Sequence, residues 1–143
     1  MKITQISVFL ENKQGRIHDV CALLGKSDIN IRALTVAESK EFGILRLVVD
    51  NPPSAMAVLK KAGFVAQLTD IVAVEVDDQP GGLARILKTL ADDGINVEYM
   101  YGFLEKQSDK ALLVFRFDRP DQAIVVLKKH KIPVVGNKEI ESL

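Results

Sequence analysis

The chain has 143 residues, 48% hydrophobic and 27% charged, and its 19 Lys and Arg balance its 19 Asp and Glu. That is the profile of a globular chain long enough for one ordinary domain or two minimal ones. It offers no net positive field for nucleic acid. The one cysteine, Cys21, excludes an intrachain disulfide, and no segment approaches the roughly eighteen apolar residues of a membrane span or has the form of a cleaved leader. A reducing, cytoplasmic setting without membrane or nucleic-acid partners is expected.

Residues 5–10 place Ile6, Val8 and Leu10 at every second position, a strand pattern, and Asn12-Lys13-Gln14-Gly15 supplies turn chemistry. Ile17, Val20, Cys21 and Leu24 then recur at helical spacing, with Cys21 expected as a buried small hydrophobe, until residues 25–28 end the helix. Residues 29–37 form a second strand and Phe42–Val49 a third, joined by a hairpin marked by Lys40, Glu41 and Gly43. Asn51-Pro52-Pro53-Ser54 stops that strand and opens a helix with the stripe Ala55, Val58, Leu59 and Ala62. Gly63 ends it, and residues 64–68 give a fourth strand. The second half reads as strands at 71–76, 97–103, 111–117 and 132–135, with helices at Gly82–Asp92 and 121–130.

The two halves are one unit written twice. Gly15 falls on Gly81, Leu24 on Leu90, and Ile29-Asn30-Ile31 on Ile95-Asn96-Val97; further on, Asp50 falls on Asp118, Pro52 on Pro120, and Leu59-Lys60-Lys61 on Leu127-Lys128-Lys129. The offset rises from 66 to 68, so two residues are inserted in a connection, and the polar stretch 105–110 is the place for them. The order βαββαβ predicts an α+β, ferredoxin-like unit: a four-stranded antiparallel sheet with two helices on one face, at 1–70 and again at 71–143. Strand edges or a helical face left to cover predict self-association, a homodimer in the simplest case.

The turn between the first strand and first helix is the candidate site. It reads Asn12-Lys13-Gln14-Gly15-Arg16-Ile17 in one copy and Asp78-Gln79-Pro80-Gly81-Gly82-Leu83 in the other. Small residues let backbone N–H groups approach a ligand, and the helix N-terminus behind them favours a carboxylate or phosphate. Asn12 and Asp78 suit an ammonium or amide, and Asn30 and Asn96 offer both donors and acceptors to a zwitterion. The same residues equally suit turn geometry, helix caps and helix-to-strand corners. His18 is expected to face solvent, His130 to sit at a helix C-terminus, and Tyr99 and Tyr101 to serve packing.

Asp78-x-Pro80-Gly81-x-Leu83 followed by Gly94-Ile95-Asn96-Val97, with Asn12-x-x-Gly15-x-Ile17 and Ile29-Asn30-Ile31 in the first copy, resembles the ACT domain. The resemblance covers nearly the whole chain. It implies the fold read above, and binding of a free amino acid or similar small molecule near the meeting of two domains. The residues it implies are Asn12, Gly15 and Asn30, with Asp78, Gly81 and Asn96. The first copy departs from the pattern in having Gln14 in place of proline and a charged Arg16.

No catalytic set can be assembled. The histidines lie in different copies without metal-ligand spacing, and the nucleophile elbow, P-loop and dinucleotide fingerprint are missing. Neither metal nor cofactor is expected. The sequence therefore reads as a regulatory amino-acid sensor acting on a partner enzyme or transporter. The alternative is a protein-interaction module of the same fold, with a small ferredoxin-like enzyme as a weaker third.

Overall fold

The computed structural model describes residues 1–105 and 109–143. Lys106, Gln107 and Ser108, in the connection assigned the insertion, lie outside the described residues. The elements follow as β1 (Ile3–Glu11), α1 (Arg16–Lys26), β2 (Ile31–Glu38), β3 (Phe42–Val49), α2 (Pro52–Lys61), β4 (Val65–Asp77), α3 (Gly82–Asp92), β5 (Val97–Gly102), β6 (Lys110–Phe117), α4 (Pro120–Lys129), β7 (Val134–Val135) and α5 (Asn137–Glu141). The chain divides into an N-terminal unit, Thr4–Thr69, and a C-terminal unit, Asp70–Leu143 with Met1–Ile3.

Each unit is the expected antiparallel ferredoxin-like sheet. Strand order is β2-β3-β1-β4 in the N-terminal unit and β5-β6-β4-β7 in the C-terminal one. The repeat is a repeat of core positions. Ile6, Val8, Leu10, Val20, Leu24 and Ile29 build one core, and Val72, Val74, Val76, Ile86, Leu90 and Ile95 occupy the same places in the other. Leu47, Val49, Ala55 and Leu59 likewise match Phe115, Phe117, Ala123 and Leu127. Period-two residues from the strands meet helical stripes from above, which accounts for the alternation read in the sequence.

Three expectations are corrected. The strands placed at 64–68 and 71–76 are one strand, β4, because no Gly or Pro interrupts Val65–Asp77 and Thr69 is β-branched. The last strand shrinks to Val134–Val135, since Pro133 has no N–H to donate; its carbonyl accepts from Glu75 N–H at 3.1 Å instead. Cys21 is half-buried rather than buried. A short helix, α5, follows Gly136 and was not expected; Ile140 anchors it at 2% exposure.

Some strand residues on the faces away from the helices are buried as well. Ile3, Gln5 and Ser7 are buried there, as are Ile71 and Ala73. The two polar side chains are joined, Gln5 Nε2 donating to Ser7 Oγ at 3.1 Å.

Candidate functional site

Both glycine turns are built alike. Gly15 and Gly81 take φ of +89° and +83° and stand as the N-caps of α1 and α3, with no side chain capping either helix. That left-handed backbone is open to glycine and strained for other residues. Asp19 N–H donates back to Gly15 O at 2.9 Å and Arg85 N–H to Gly81 O at 3.1 Å, which closes the first helical turn. Ahead of them, the N–H groups of Ile17 and His18, and of Leu83 and Ala84, have no acceptor among the described residues. These are the orphan donors of a helix N-terminus, aimed where a carboxylate is favoured.

Beyond that skeleton the turns differ. In the N-terminal unit Asn12 is tied to the β2–β3 connection: its N–H donates to Glu41 O at 2.8 Å and its Nδ2 to Ser39 O at 2.9 Å. Ile17, 43% exposed, leans over a cavity of about 130 Å³ floored by Leu10, Val36 and Leu45. Arg16 turns the other way. Its guanidinium lies 5.0 Å from the centroid of Phe64, and its Nη1 pairs with Asp19 at 3.4 Å. Gln14 is exposed.

In the C-terminal unit Gly82 replaces that arginine, and its reason is space. A Cβ there would lie 2.1 Å from the carbonyl oxygen of Asp77. The Asp77 carboxylate holds Arg85 at 3.4 Å and Lys110 at 3.6 Å. Asp78 and Pro80 are exposed on the turn, and Leu83 is half-buried.

Asn30 and Asn96 do not join the turns of their own units. Phe42 stands beside Glu11 and Val49 beside Ile31, so the turn and the asparagine lie at opposite ends of β3, about 23 Å apart at ~3.3 Å per residue. The C-terminal unit repeats this, with Lys110 beside Asp77 and Phe117 beside Val97. At each corner it is the asparagine backbone that is used. Asn30 N–H donates to Asp50 Oδ1 at 3.0 Å while Asp50 N–H donates to Asn30 O at 3.1 Å; Asn96 and Asp118 form the same pair at 3.0 and 3.2 Å. The Asn30 side chain is exposed on an open depression of about 410 Å³ beside Asp28 and Asp50. Asp50 and Asp118 carried a sequence signal, since they match across the repeat, but their role is visible only in three dimensions.

His18 is exposed, His130 caps α4, and Tyr101 is buried. Burial pushes the Cys21 thiol above its ordinary pKa. Among the described residues no group of His, Cys, Asp and Glu side chains could hold a metal ion, and no helix is long and apolar enough to cross a membrane.

A family model described as "ACT domain pair" matches residues 1–143. The chain belongs to the ACT family, as a domain pair. The pair is similar to protein BT0572 from Bacteroides thetaiotaomicron, with 38% identity, a TM-score of 0.93, and coverage of 100% of this chain and 98% of that one. It also shares its fold with the regulatory subunit of aspartate kinase from Thermus thermophilus, at 17% identity and a TM-score of 0.63, over 88% of this chain and 91% of that one. The corresponding subunit from Thermus flavus gives 17% and 0.60, over 88% and 90%. No curated protein matches the chain. Membership of the ACT family supports a regulatory, small-molecule-binding role in general terms.

Proposed function

We propose that this ACT pair is a regulatory sensor of a free α-amino acid rather than an enzyme, and that the glycine turns are where the ligand is met. The observation that carries this reading is the repeated, uncapped helix N-terminus behind a left-handed glycine. Two unpaired N–H groups in each unit are suited to a ligand carboxylate. Beside the N-terminal turn, the floor of Leu10, Val36 and Leu45 is suited to an aliphatic portion. The asparagine corners are about 23 Å away within a unit, about seven residue lengths at the same strand spacing, so Asn30 and Asn96 do not serve the turn of their own unit. A ligand that favours one conformation over another would be read by a partner enzyme or transporter in the cytoplasm, with the chain self-associated.

The test is thermal unfolding against each common amino acid at millimolar concentration. A ligand specific to the folded state adds about 2.7 kcal/mol at a hundredfold excess over Kd. Selective stabilisation by one amino acid is the expected result. The rival reading, an interaction module, draws on the exposed Phe42 and Phe9, at 61% and 39%. Stabilisation by no amino acid would favour it.

A further inference from the structure

The C-terminal unit has one element that the N-terminal unit lacks, the short helix α5. Glu139 of α5, and Leu143 beyond it, share a cavity of about 180 Å³ with Glu75, Leu112 and Val135. Glu75 alternates with the core residues Val74 and Val76, so its side chain lies on the sheet face turned away from α3 and α4. Leu112 stands opposite Glu75 across β4 and β6, and Val135 stands opposite Ala73, so both share that face.

The repeat shows what Glu75 replaces. At the offsets of 66 and 68, Glu75 corresponds to Phe9 and Leu112 to Ile44, and Phe9 stands opposite Ile44 just as Glu75 stands opposite Leu112. One unit carries an apolar pair at this place; the other keeps the aliphatic partner and exchanges the phenylalanine for a carboxylate. A half-buried charge beside apolar side chains costs free energy unless it is paired. Yet the Glu75 carboxylate has neither hydrogen bond nor ion pair among the described residues. The other charged groups of the lining are engaged: Lys110 Nζ holds Asp77 at 3.6 Å, and Glu139 Oε2 accepts from Gly136 N–H at 3.3 Å at the start of α5. A carboxylate above leucine and valine matches a cation with a hydrocarbon body. An amino acid fits less well, because its own carboxylate would meet two glutamates and a lysine already held by Asp77. The cavity of about 180 Å³ has room for roughly six non-hydrogen atoms, at the ~30 Å³ that a water molecule occupies in the liquid.

We infer that this cavity is a site for a small primary alkylammonium ion, with Glu75 receiving the ammonium, Leu112 and Val135 the alkyl chain, and α5 forming the cover. The site belongs to the C-terminal unit alone, since Phe9 stands in place of the carboxylate in the other unit. It is separate from the glycine turns and does not depend on the amino-acid reading.

The full chain, with leucine and valine methyl groups labelled with ¹³C, is titrated with n-alkylammonium chlorides from methyl to hexyl. The alkanol and the alkanoate of each length, and potassium chloride, are the comparison ligands at matched ionic strength. The expected result is that propyl- to pentylammonium move the Leu112 and Val135 methyl signals and that the comparison ligands do not. Glu75→Gln, which keeps the shape of the side chain, should weaken that response roughly tenfold or more, the scale of one charged hydrogen bond. Glu75→Phe, which copies the first unit, should abolish it. The methyl signals of Val72 and Val74, in the core on the other face of β4, report that each variant is folded. Unchanged affinity in Glu75→Gln, or an alkanol bound as well as the amine, overturns the proposal, because the crevice then recognises hydrocarbon and not charge. Potassium bound as well as the amine overturns it from the other side. So does the absence of any Leu112 or Val135 response to every ammonium ion.

Discussion

Residues 16 and 82 occupy the same place in two copies of one turn, and they have diverged in opposite directions. Arg16 carries a long side chain that covers Phe64, whereas Gly82 has no room even for a methyl group. The preceding glycines have the same left-handed backbone in both units, so the skeleton of the turn is shared. What differs is how closely the next residue approaches the strand behind it. A shared skeleton therefore does not make a shared site, and the two turns open onto different cavities.

The largest expected effect tests that difference directly. Gly82→Ala forces a Cβ into the Asp77 carbonyl, and the turn must shift to admit it, at a cost of about 3 kcal/mol. Arg16→Ala loses a partly exposed cation–π contact and a surface ion pair, together about 1 kcal/mol. Urea unfolding of both variants measures the contrast. Equal losses would mean that the second turn can relax into the geometry of the first, and that the close approach at Gly82 is incidental.

The helix-to-strand corners provide the opposite case, in which the two copies agree. Asp50 and Asp118 accept from the asparagine N–H at the same 3.0 Å. Asp50→Ala and Asp118→Ala should each cost about 1.5 kcal/mol, and Asn at either position should restore most of it, because the amide oxygen still accepts. A large loss at one corner and none at the other would break the equivalence. Loss of ligand response in either variant, with stability corrected for, would return the corners to the binding site.

How much of this the sequence disclosed follows from which groups do the work. The two cores were legible because burial acts on side chains at fixed periods, so Val72, Val74 and Val76 repeat Ile6, Val8 and Leu10. The glycine turns were legible because a left-handed residue singles out glycine. The distance from turn to corner was not: the bonds of Asn30 and Asn96 to Asp50 and Asp118 use backbone groups, which every residue type shares, and α1 and α3 carry the chain the length of the sheet between the turn and the corner. The fusion of two strands into β4 was hidden because the pattern of buried residues changes at Thr69-Asp70 while the backbone does not.

The smallest expected effects concern the left-handed positions, where the copies trade residues. Asp28, at φ +58°, stands where the second unit has Gly94 at +73°, and Lys131 stands where the first has Gly63. Each non-glycine residue is strained by about 1 kcal/mol, so Asp28→Gly and Lys131→Gly should both raise the unfolding midpoint slightly, while Gly94→Asp should lower it. Urea unfolding of the three variants measures this. Equal small gains at residues 28 and 131 would mean that the left-handed backbone costs the same in both units, whereas a gain at one position and a loss at the other would mean that the second side chain makes contacts that outweigh its strain.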